Sequence, residues 1–490
     1  MAIRSGPSEL FPGFRDSAYP RLGYILLFGA LLRLWCFNAM TGYDEFIYAH
    51  LANNLAQGVL QVGDASGYFS FRYLLYAPAA FFVKLFGLSA FSLSLWPFLC
   101  SMGNICAAFL LGRLFFGPGS AILSAFLCAF FPFSVTYGTI LYPEEIISFL
   151  LGLSVYFYFR ADRTEESNAA SGFFVLSGIF AALAYYTRLN ALLVFGFYGV
   201  YAAFRPARMR FLWVPAGFLL ALLPEALFYY FKIGDPFYSW HSQHQMLISS
   251  AVRFSSSLRI YLEAIFGLNM YGLSLFGFFY HFFSAALVYF SYQRKFRDIL
   301  PLFLWFACLF AYLEFGPSDM GAGRYVLALK QLRFLSMVSL PVCLVVAVFI
   351  SRLEVKTRIG LLAFLLISSV AGGLKMSEYC AAQAAPHELA YAYMKESAPG
   401  AVFVPGADWT QRLNFYFKTP LAAPYYPKTG QYRGVRKLGE LPGSGALKNS
   451  WLVVDTRELP EKGSKPVENA IKKAAKVINI NGFIRLYYVH

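Results

Sequence analysis

The stretch YILLFGALLRLWCFNAMTGYDEFIYAH, Tyr24 to His50, joins a long apolar run to two adjacent carboxylates, Asp44 and Glu45. The apolar run is long enough to cross a bilayer. A charge at bilayer depth is costly, so an acidic pair directly after a span indicates a function at the membrane surface. This junction predicts a membrane protein whose polar chemistry begins where its first span ends.

The composition of the whole chain agrees with a membrane protein. Of its 490 residues, 58% are hydrophobic and only 14% are charged, which is too little polar surface for a soluble protein of this size. The net charge of +15 is spread over short basic clusters between apolar runs, so we exclude nucleic acid as a partner. Six of the seven cysteines lie within apolar runs, so no disulfide framework is predicted.

About eleven apolar runs are long enough to cross a bilayer, and we predict a polytopic α-helical membrane domain over residues 1–375. The runs lie at roughly 22–40, 92–112, 118–137, 146–159, 170–187, 189–204, 211–230, 264–290, 299–314, 333–350 and 359–375. Every second loop carries a basic cluster, such as Arg205, Arg208 and Arg210. The positive-inside rule assigns these loops to the cytoplasm and the acidic loops to the outside of the cell (inner) membrane.

The segment Arg72–Gly87 tests this assignment, because it is apolar but short and contains Pro78 and Lys84. As a span it would invert every later loop and place the basic clusters outside. We therefore predict an interfacial or re-entrant helix on the outer face. Residues 41–91 then form one long first outer loop that begins with the acidic pair.

The composition changes after about residue 376. Strand-like segments (AVFVPG, WLVVDT and AKVINI) alternate with helical stretches such as HELAYAYMKES. Asn481-Gly482 joins two β-rich runs, which predicts a hairpin. We predict a small soluble α/β domain over residues 376–490, and an odd number of spans places it outside the cytoplasm.

Two pairs of adjacent carboxylates, Asp44-Glu45 and Glu144-Glu145, lie at outer ends of spans. Each pair has a structural interpretation, because acids cap helices or favour their first turn, and Pro143 is typical of a first turn. The functional alternative is that packed spans bring both pairs to one cavity. Adjacent side chains on a helix point about 100° apart, so one acid of a pair can face a substrate while the other faces the interior.

Several basic residues on the predicted outer side depart from the positive-inside rule. Arg188 lies in a turn with almost no loop, within YYTRLNALLVFG, and Arg324, Lys330 and Arg333 follow in a later outer segment. Snorkelling to lipid headgroups is the structural interpretation of Arg188. The functional alternative is an anionic ligand such as a phosphate, which arginine binds well.

The outer loop KIGDPFYSWHSQHQ contains His241 and His244 at i, i+3 spacing. This spacing allows a metal on a helix, but no third ligand is evident, and a polar loop is the simpler interpretation. We include His241, together with Tyr48 of the first outer loop, among the candidate substrate-binding residues. The chain has no phosphate-binding loop motif, so nucleotide-driven chemistry is not supported.

Taken in order, the segments resemble the membrane glycosyltransferases of the C-type (GT-C) fold, the superfamily of protein O-mannosyltransferases and lipid A aminoarabinose transferases. The resemblance extends over nearly the whole chain and rests on the order and spacing of its segments. They are YDEFIYAHLANNLAQG, VKLFGLSAFSLSLWPFLCSMGNICAAFLLGRLFFG, AFFPFSVTYGTILYPEEIISFLLGLSVYFYFR, GIFAALAYYTRLNALLVF and RFLSMVSLP. The chain departs from the family at Arg188, where lysine is common, and at Phe334, where tyrosine is common.

The resemblance implies an inverting glycosyltransferase that moves a sugar from a polyprenyl-phosphate donor to an acceptor outside the membrane. It implies Asp44 as the general base and Glu45 as a support of the first loop or the acceptor. Glu144 is then the second acid of the site, with Glu145 as an alternative.

The same resemblance implies that Arg188 and Arg333 hold the donor phosphate and stabilise its charge as it leaves. Arg324 and Lys330 lie on the same side and are further candidates. A divalent cation between Asp44 and the Glu144 region is a low-ranked option. The sequence specifies neither the sugar nor whether the acceptor is a lipid, a glycan or a protein, and membrane lipids are the remaining expected partner.

Two other classes of membrane protein also handle lipid-linked sugars. A flippase or transporter uses intramembrane charges, but no internal repeat is visible and an outer globular domain is unusual there. A polysaccharide polymerase or ligase typically relies on a large late outer loop, whereas this chain has an acidic first one. Glycosyl transfer is therefore the favoured prediction.

Overall fold

The computed structural model describes residues 18–41, 44–60, 67–205, 208–243, 257–268, 270–316, 327, 330–395, 401–405, 407–416, 435–437, 450–455, 465–481 and 483–489. This part of the chain is mostly helical, which confirms the predicted fold class. One contiguous apolar core joins the helices of the membrane region, and two smaller cores lie in the C-terminal part.

The helices before the C-terminal sheet are α1 (Ala18–Trp35), α2 (Glu45–Ala56), α3 (Tyr73–Phe86), α4 (Ala90–Phe116), α5 (Pro118–Ala129), α6 (Pro132–Tyr137), α7 (Pro143–Asp162), α8 (Ser167–Tyr185), α9 (Leu193–Ala203), α10 (Trp213–Ile233), α11 (Arg259–Phe266), α12 (Met270–Phe276), α13 (Phe279–Tyr292), α14 (Leu300–Phe315), α15 (Ser339–Ser351) and α16 (Val355–Lys395). Short 3-10 helices precede several of them, including Leu332–Val338 directly before α15. Among the described residues, five helical segments are long and apolar enough to cross a membrane, or six if a bent pair counts as one span. Two other predicted runs form helices of similar length that are more polar, α1 with 18 residues and α7 with 20, and the rest form shorter or broken helices.

Two predicted runs are broken by local backbone chemistry. The run at 118–137 forms α5 and α6, because Pro132 begins a new helix. The run at 264–290 contains α12 and α13, which are bent by 76° relative to each other. Gly277, between them, has a φ of 54°, a conformation that glycine adopts without steric cost.

The short helix α3 covers the predicted outer segment. Its 14 residues span about 21 Å, which is less than the roughly 30 Å of a bilayer core. Its first turn is fixed by two hydrogen bonds to its backbone: Leu74 N donates to Tyr186 O at 3.3 Å, and the side-chain Nε1 of Trp96 donates to Leu74 O at 2.8 Å. These two bonds tie the first outer loop to the end of α8 and to α4, and the interfacial position of α3 stays a prediction.

Helix α16 runs without a break through residue 376, where the composition changes. The predicted boundary at 376 therefore falls inside a helix, because the apolar and polar halves of α16 differ in composition but not in conformation. HELAYAYMKES belongs to this long helix up to Lys395, so it is not a separate element of the C-terminal domain.

The C-terminal part contains β1 (Ala401–Val404), α17 (Ala407–Tyr416), β2 (Val435–Lys437), β3 (Ser450–Asp455), α18 (Lys465–Lys472), β4 (Ala474–Asn479) and β5 (Ile484–Val489). The strand order is β2-β1-β3-β5-β4, with β1 parallel to its two neighbours and β5 antiparallel to its two. The predicted hairpin is confirmed as β4–β5. Asn481 Oδ1 accepts the backbone N–H groups of Phe483 and Ile484 and so closes the turn.

Candidate active site

Asp44 occupies the N-cap position of α2, but its side chain makes no capping hydrogen bond. Instead, its Oδ2 accepts a hydrogen bond from Arg333 Nη2 at 2.7 Å. The Asp44 side chain is 31% exposed, so the carboxylate remains accessible. The acid that opens the first outer loop therefore makes a tertiary ion pair with a residue from the far end of the membrane domain.

Glu45 points the other way and is fully buried. Its Oε1 accepts hydrogen bonds from the backbone N–H of Thr41 and, at 2.9 Å, from Thr41 Oγ1. Thr41 Oγ1 in turn lies 3.2 Å from Tyr142 OH. Glu45 thus holds the chain that enters α2 against the start of α7, which bears directly on the position of Asp44.

Glu144, in the first turn of α7, receives two guanidinium groups on one oxygen. Its Oε1 lies 3.2 Å from Arg188 Nη1 and 3.4 Å from Arg333 Nε. The side chain is only 2% exposed, and Oε2 has no hydrogen-bond partner among the described residues. Asp44, Glu144, Arg188 and Arg333 together form what we call the arginine–carboxylate cluster.

Aromatic rings support both arginines of the cluster. The Arg188 guanidinium carbon lies 3.6 Å from the centre of the Phe334 ring, and that of Arg333 lies 4.4 Å from the Tyr142 ring. Stacking of this kind orients a planar guanidinium and leaves its edge free to donate hydrogen bonds. Phe334, where the resembled family commonly has tyrosine, keeps the ring face that this contact needs.

Arg72 is a component of this region that the sequence analysis missed as a site residue. It donates a hydrogen bond to the hydroxyl of Tyr48, a predicted substrate-binding residue, and its guanidinium lies 5.3 Å from the Phe69 ring. Burial, followed by the positive charge of Arg72, lowers the pKa of Arg188 to about 10. The available signal was that Arg72 is one more basic residue on the predicted outer side.

Three arginines therefore approach one region from distant parts of the chain. Arg72 precedes α3, Arg188 follows α8, and Arg333 precedes α15. Guanidinium groups converging in this way suit an anion with several oxygens, because each can donate two directed hydrogen bonds. The acidic residues beside them can hold the arginines in place or accept a proton.

Glu145 points into the protein interior. Its Oε1 accepts from Ser134 Oγ and its Oε2 accepts from Asn104 Nδ2, both at 2.9 Å. The fully buried Arg33 donates to Ser101 Oγ at 2.7 Å in the same polar group. Of the two adjacent acids, Glu144 is thus the one in the cluster, which favours it over Glu145 as the second site carboxylate.

The remaining predicted site residues lie elsewhere or outside the described part of the chain. Lys330 Nζ lies 2.8 Å from Glu314 Oε2 in a buried ion pair. His241 Nδ1 lies 2.9 Å from Asp235 Oδ2 on an exposed segment, where this hydrogen bond lowers the pKa of Asp235. The structure brings His241 into no contact with the cluster among the residues it describes. Arg324 and His244 lie outside the described residues.

The position between Asp44 and Glu144, which the sequence offers to a divalent cation, is bridged by the Arg333 side chain. Within the described ranges, no group of three His, Cys, Asp or Glu side chains is arranged to hold a metal. The residues present therefore fit a guanidinium bridge between the two carboxylates.

The apolar helices define an integral membrane protein, in which the cluster sets arginines beside paired carboxylates. The sequence model of the family described as dolichyl-phosphate-mannose-protein mannosyltransferase matches residues 74–230, about a third of the chain. No curated protein sequence matches the chain.

Solved structures show the same fold over most of the chain. ArnT from Cupriavidus metallidurans bound to undecaprenyl phosphate is similar with a TM-score of 0.65 and 14% identity, covering 95% of this chain and 98% of that chain. The same ArnT in the apo state gives a TM-score of 0.60, also at 14% identity and with the same coverage. The archaeal oligosaccharyltransferase AglB from Archaeoglobus fulgidus, in complex with an inhibitory peptide and a dolichol-phosphate, is similar with a TM-score of 0.54 and 13% identity. The match covers 84% of this chain and 64% of that chain. The fold is that of the C-type membrane glycosyltransferases, which confirms the resemblance seen in the sequence.

Proposed function

We propose that the protein is an inverting glycosyltransferase that moves a sugar from a polyprenyl-phosphate donor to an acceptor on the extracytoplasmic side of the cell (inner) membrane. The observation that carries this proposal is the position of Arg333, which joins Asp44 to Glu144 beside Arg188. The mannosyltransferase description of the matching family and the undecaprenyl phosphate bound to ArnT support a donor of this class.

The arginines supply the site of the donor phosphate. A polyprenyl tail remains in the lipid, so its phosphate reaches the interface, where the first outer loop and the ends of the spans meet. Arg188 and Arg333 donate to the phosphate oxygens, with Arg72 as a third donor. Negative charge builds on the phosphate as the bond between the sugar and the phosphate breaks, and preorganised guanidinium groups stabilise it.

Asp44 is the general base. The acceptor hydroxyl oxygen attacks C1 of the sugar, the hydroxyl proton passes to the Asp44 carboxylate, and the bond from C1 to the phosphate oxygen breaks. Polyprenyl phosphate leaves with the bonding electron pair, and the configuration at C1 is inverted. An arriving phosphate offers Arg333 a second anion, so the ion pair with Asp44 loosens and the carboxylate becomes available to the acceptor.

Glu144 positions Arg188 and Arg333 relative to each other. Its single oxygen within reach of both Arg188 and Arg333 fixes the spacing of the two guanidinium groups. Its burial strengthens these contacts, because a low local dielectric favours a paired charge. Glu144 therefore shapes the phosphate site rather than taking the proton.

The test is Asp44→Asn in the purified full-length protein. Asparagine keeps the size of the side chain and can still bond to Arg333, but it is not a base. We expect turnover of a polyprenyl-phosphate-linked sugar to fall by about 10²–10⁴-fold, with binding of undecaprenyl phosphate retained. The assay offers a panel of polyprenyl-phosphate hexoses and pentoses to an envelope extract from cells that lack the gene, and mass spectrometry identifies the product.

The matched control is Asp162→Asn at the other end of α7, about 27 Å from Glu144 along the helix. Asp162 also forms an ion pair with an arginine, Arg205, at 2.7 Å, so the same chemical change is made away from the cluster. Normal turnover in folded Asp44→Asn removes the catalytic base from the proposal. Movement of the intact donor across a vesicle membrane without chemical turnover identifies a flippase instead. A polymeric product identifies a polymerase or ligase.

A further inference from the structure

We propose that the buried ion pair of Lys330 and Glu314 positions Arg333, so that Lys330 acts through the arginine instead of binding the donor. The inference rests on the proposed function, because it assumes that Arg333 binds the donor phosphate. It assigns a role to Glu314, which no pattern in the sequence singled out, and a different role to Lys330.

The ion pair joins two elements on the flank of the cluster. Lys330 Nζ and Glu314 Oε2 are 2.8 Å apart, with side chains 1% and 0% exposed. Glu314 belongs to the last turn of α14, and Lys330 lies two residues before the 3-10 helix that carries Arg333. The pair thus fixes the start of the Arg333 segment to the end of a membrane helix.

A chain of contacts leads from the ion pair to Arg333. Lys330 Nζ lies 5.3 Å from the centre of the Tyr261 ring, and Tyr261 OH donates to the backbone oxygen of Gln331 at 3.2 Å. The side chain of Gln331 then accepts from Arg333 Nε at 2.7 Å. Residue 331 is therefore held through its backbone by Tyr261, while its amide fixes one edge of the guanidinium.

The other edge of Arg333 meets Asp44, so a shift at residue 331 reaches the proposed base directly. Breaking a buried pair by removing one partner leaves an uncompensated charge, which the structure relieves by moving. Misplacement of a catalytic group by about 1 Å can cost about 10²-fold in rate. The ion pair is remote from Asp44 in sequence, but three contacts, through Tyr261 and Gln331, connect it to Arg333 of the cluster.

Direct binding of phosphate by Lys330 is the competing interpretation, and the geometry disfavours it. The ammonium group is almost fully enclosed and already faces a carboxylate at 2.8 Å. A phosphate that took this lysine would leave Glu314 buried without its cation, which is costly. Arg188 and Arg333 are more exposed than Lys330 and offer a more accessible site.

Glu314→Gln separates the two interpretations, with binding of undecaprenyl phosphate in detergent micelles as the measurement. A positioning role predicts binding weakened by about tenfold, because Arg333 shifts. Direct binding by Lys330 predicts equal or tighter binding, because the lysine is released from its carboxylate. Lys330→Met weakens binding under both interpretations, so it does not discriminate alone.

Combining variants of the ion pair with a variant of Arg333 separates a positioning effect from a general loss of stability. If the ion pair acts through Arg333, Glu314→Gln adds little further loss in an Arg333→Lys background, whereas independent effects add. The exchange of both charges, Lys330→Glu with Glu314→Lys, restores an ion pair and is expected to recover part of the binding. Asp298→Asn, in the exposed pair with Arg352 at 3.8 Å, is the control and should bind normally.

Wild-type binding in folded Glu314→Gln, or full additivity with Arg333→Lys, overturns the inference. If the single variants of the ion pair do not fold, Gln331→Met decides, because it removes only the amide that holds Arg333 Nε. Unchanged binding in that variant also overturns the inference. If the wild-type protein binds no undecaprenyl phosphate, the proposed function itself fails, and this result is distinct from a difference between variants.

Discussion

At the scale of single residues, the two acidic pairs divide in the same way. Asp44 and Glu144 face the arginines, whereas Glu45 and Glu145 accept hydrogen bonds from neutral groups in the interior. Adjacent side chains on a helix point about 100° apart, which lets one member of each pair face the interior while the other faces the arginines. Each inward acid thus fixes the backbone from which its neighbour reaches the cluster.

This division predicts different defects for Glu144→Gln and Glu145→Gln. Glu144→Gln removes the charge that spaces Arg188 and Arg333, so turnover per folded molecule should fall, and stability should also fall because two arginines lose their buried partner. Glu145→Gln weakens the hydrogen bonds around Arg33 and should lower the free energy of unfolding by about 1–3 kcal/mol, while turnover per folded molecule stays near that of the wild type. Thermal unfolding in detergent, measured beside turnover, checks both variants, and a loss of turnover per folded molecule in Glu145→Gln would contradict the division.

Arg188→Ala should weaken binding of undecaprenyl phosphate, because it removes a guanidinium from the proposed phosphate site. Loss of a charged hydrogen bond corresponds to about 1.5–3 kcal/mol, or roughly 10–100-fold in the dissociation constant. Arg205→Ala is the matched control, since Arg205 also pairs with a carboxylate but lies at the other end of α7. Equal binding by Arg188→Ala and the wild-type protein would show that the phosphate lies elsewhere.

The residue types of the cluster could be predicted from the sequence, but their pairing could not. Acids and arginines on the outer side stand out because they break the pattern of a membrane protein. Arg72 breaks it too, yet it begins an apolar segment, and only the fold reveals its contact with Tyr48. Lys330 resembles another phosphate ligand in the sequence, and only the structure shows its buried partner Glu314 at the end of α14.

At the scale of elements, α8 and α10 pack closely at two glycines. A Cβ at Gly178 would lie 2.7 Å from Phe218 N, and a Cβ at Gly217 would lie 2.9 Å from Val175 Cα. Small residues at a helix interface let the backbones approach, which is a common mode of packing in membranes. Val175 and Gly178 lie in the middle of α8, so this contact anchors the helix that leads to the turn that carries Arg188.

Gly217→Ala should therefore force α8 and α10 apart, with a loss of about 1–3 kcal/mol that is typical of overpacking. Gly199→Ala in α9 is the control, because no atom lies within 4 Å of its added Cβ. That control should be neutral or slightly stabilising, since alanine favours helix over glycine by up to about 1 kcal/mol. Unfolding temperatures in detergent compare the two variants, and equal stability would contradict the close packing.

Elements with strong local signals were predictable, and those set by tertiary contacts were not. The turn at Asn481-Gly482 specifies its hairpin locally, as β4 and β5 show. The 76° bend beside Gly277 interrupts a continuous apolar run. A single glycine in such a run is not enough to predict a bend. The short strand β2 has only three residues and depends on its parallel partner β1, so no periodicity marks it.

At the scale of the whole molecule, the C-terminal part contacts α2, the helix that Asp44 precedes as N-cap. The Phe46 ring of α2 lies 5.4 Å from the Phe415 ring and 6.3 Å from the Tyr416 ring of α17. Phe415 is buried in the core of the membrane region, not in either core of the sheet. The C-terminal part therefore completes the packing of the first outer loop.

Phe415→Ala should consequently disturb α2 and reduce sugar transfer more than binding of undecaprenyl phosphate, because α2 carries the proposed base while the arginines lie on other elements. Phe483→Ala is the control, since Phe483 is an exposed phenylalanine of the same C-terminal part. The measurement is turnover and phosphate binding on the same preparations. A parallel loss of both in folded Phe415→Ala would argue against a specific effect on α2.

The proposed chemistry also requires a definite sidedness, because the C-terminal part contacts the loop that holds Asp44. Basic clusters in alternate loops predict that this whole assembly lies outside the cytoplasm. A reporter that is active only in the cytoplasm should therefore be silent when fused after His490. The same reporter inserted beside Arg163, in a predicted cytoplasmic loop, should be active and serves as the control for expression. Activity of the fusion after His490 would place the C-terminal part in the cytoplasm. In that case α3 would be the first helix to test as a true span, because a crossing at α3 would reverse the side of every later loop.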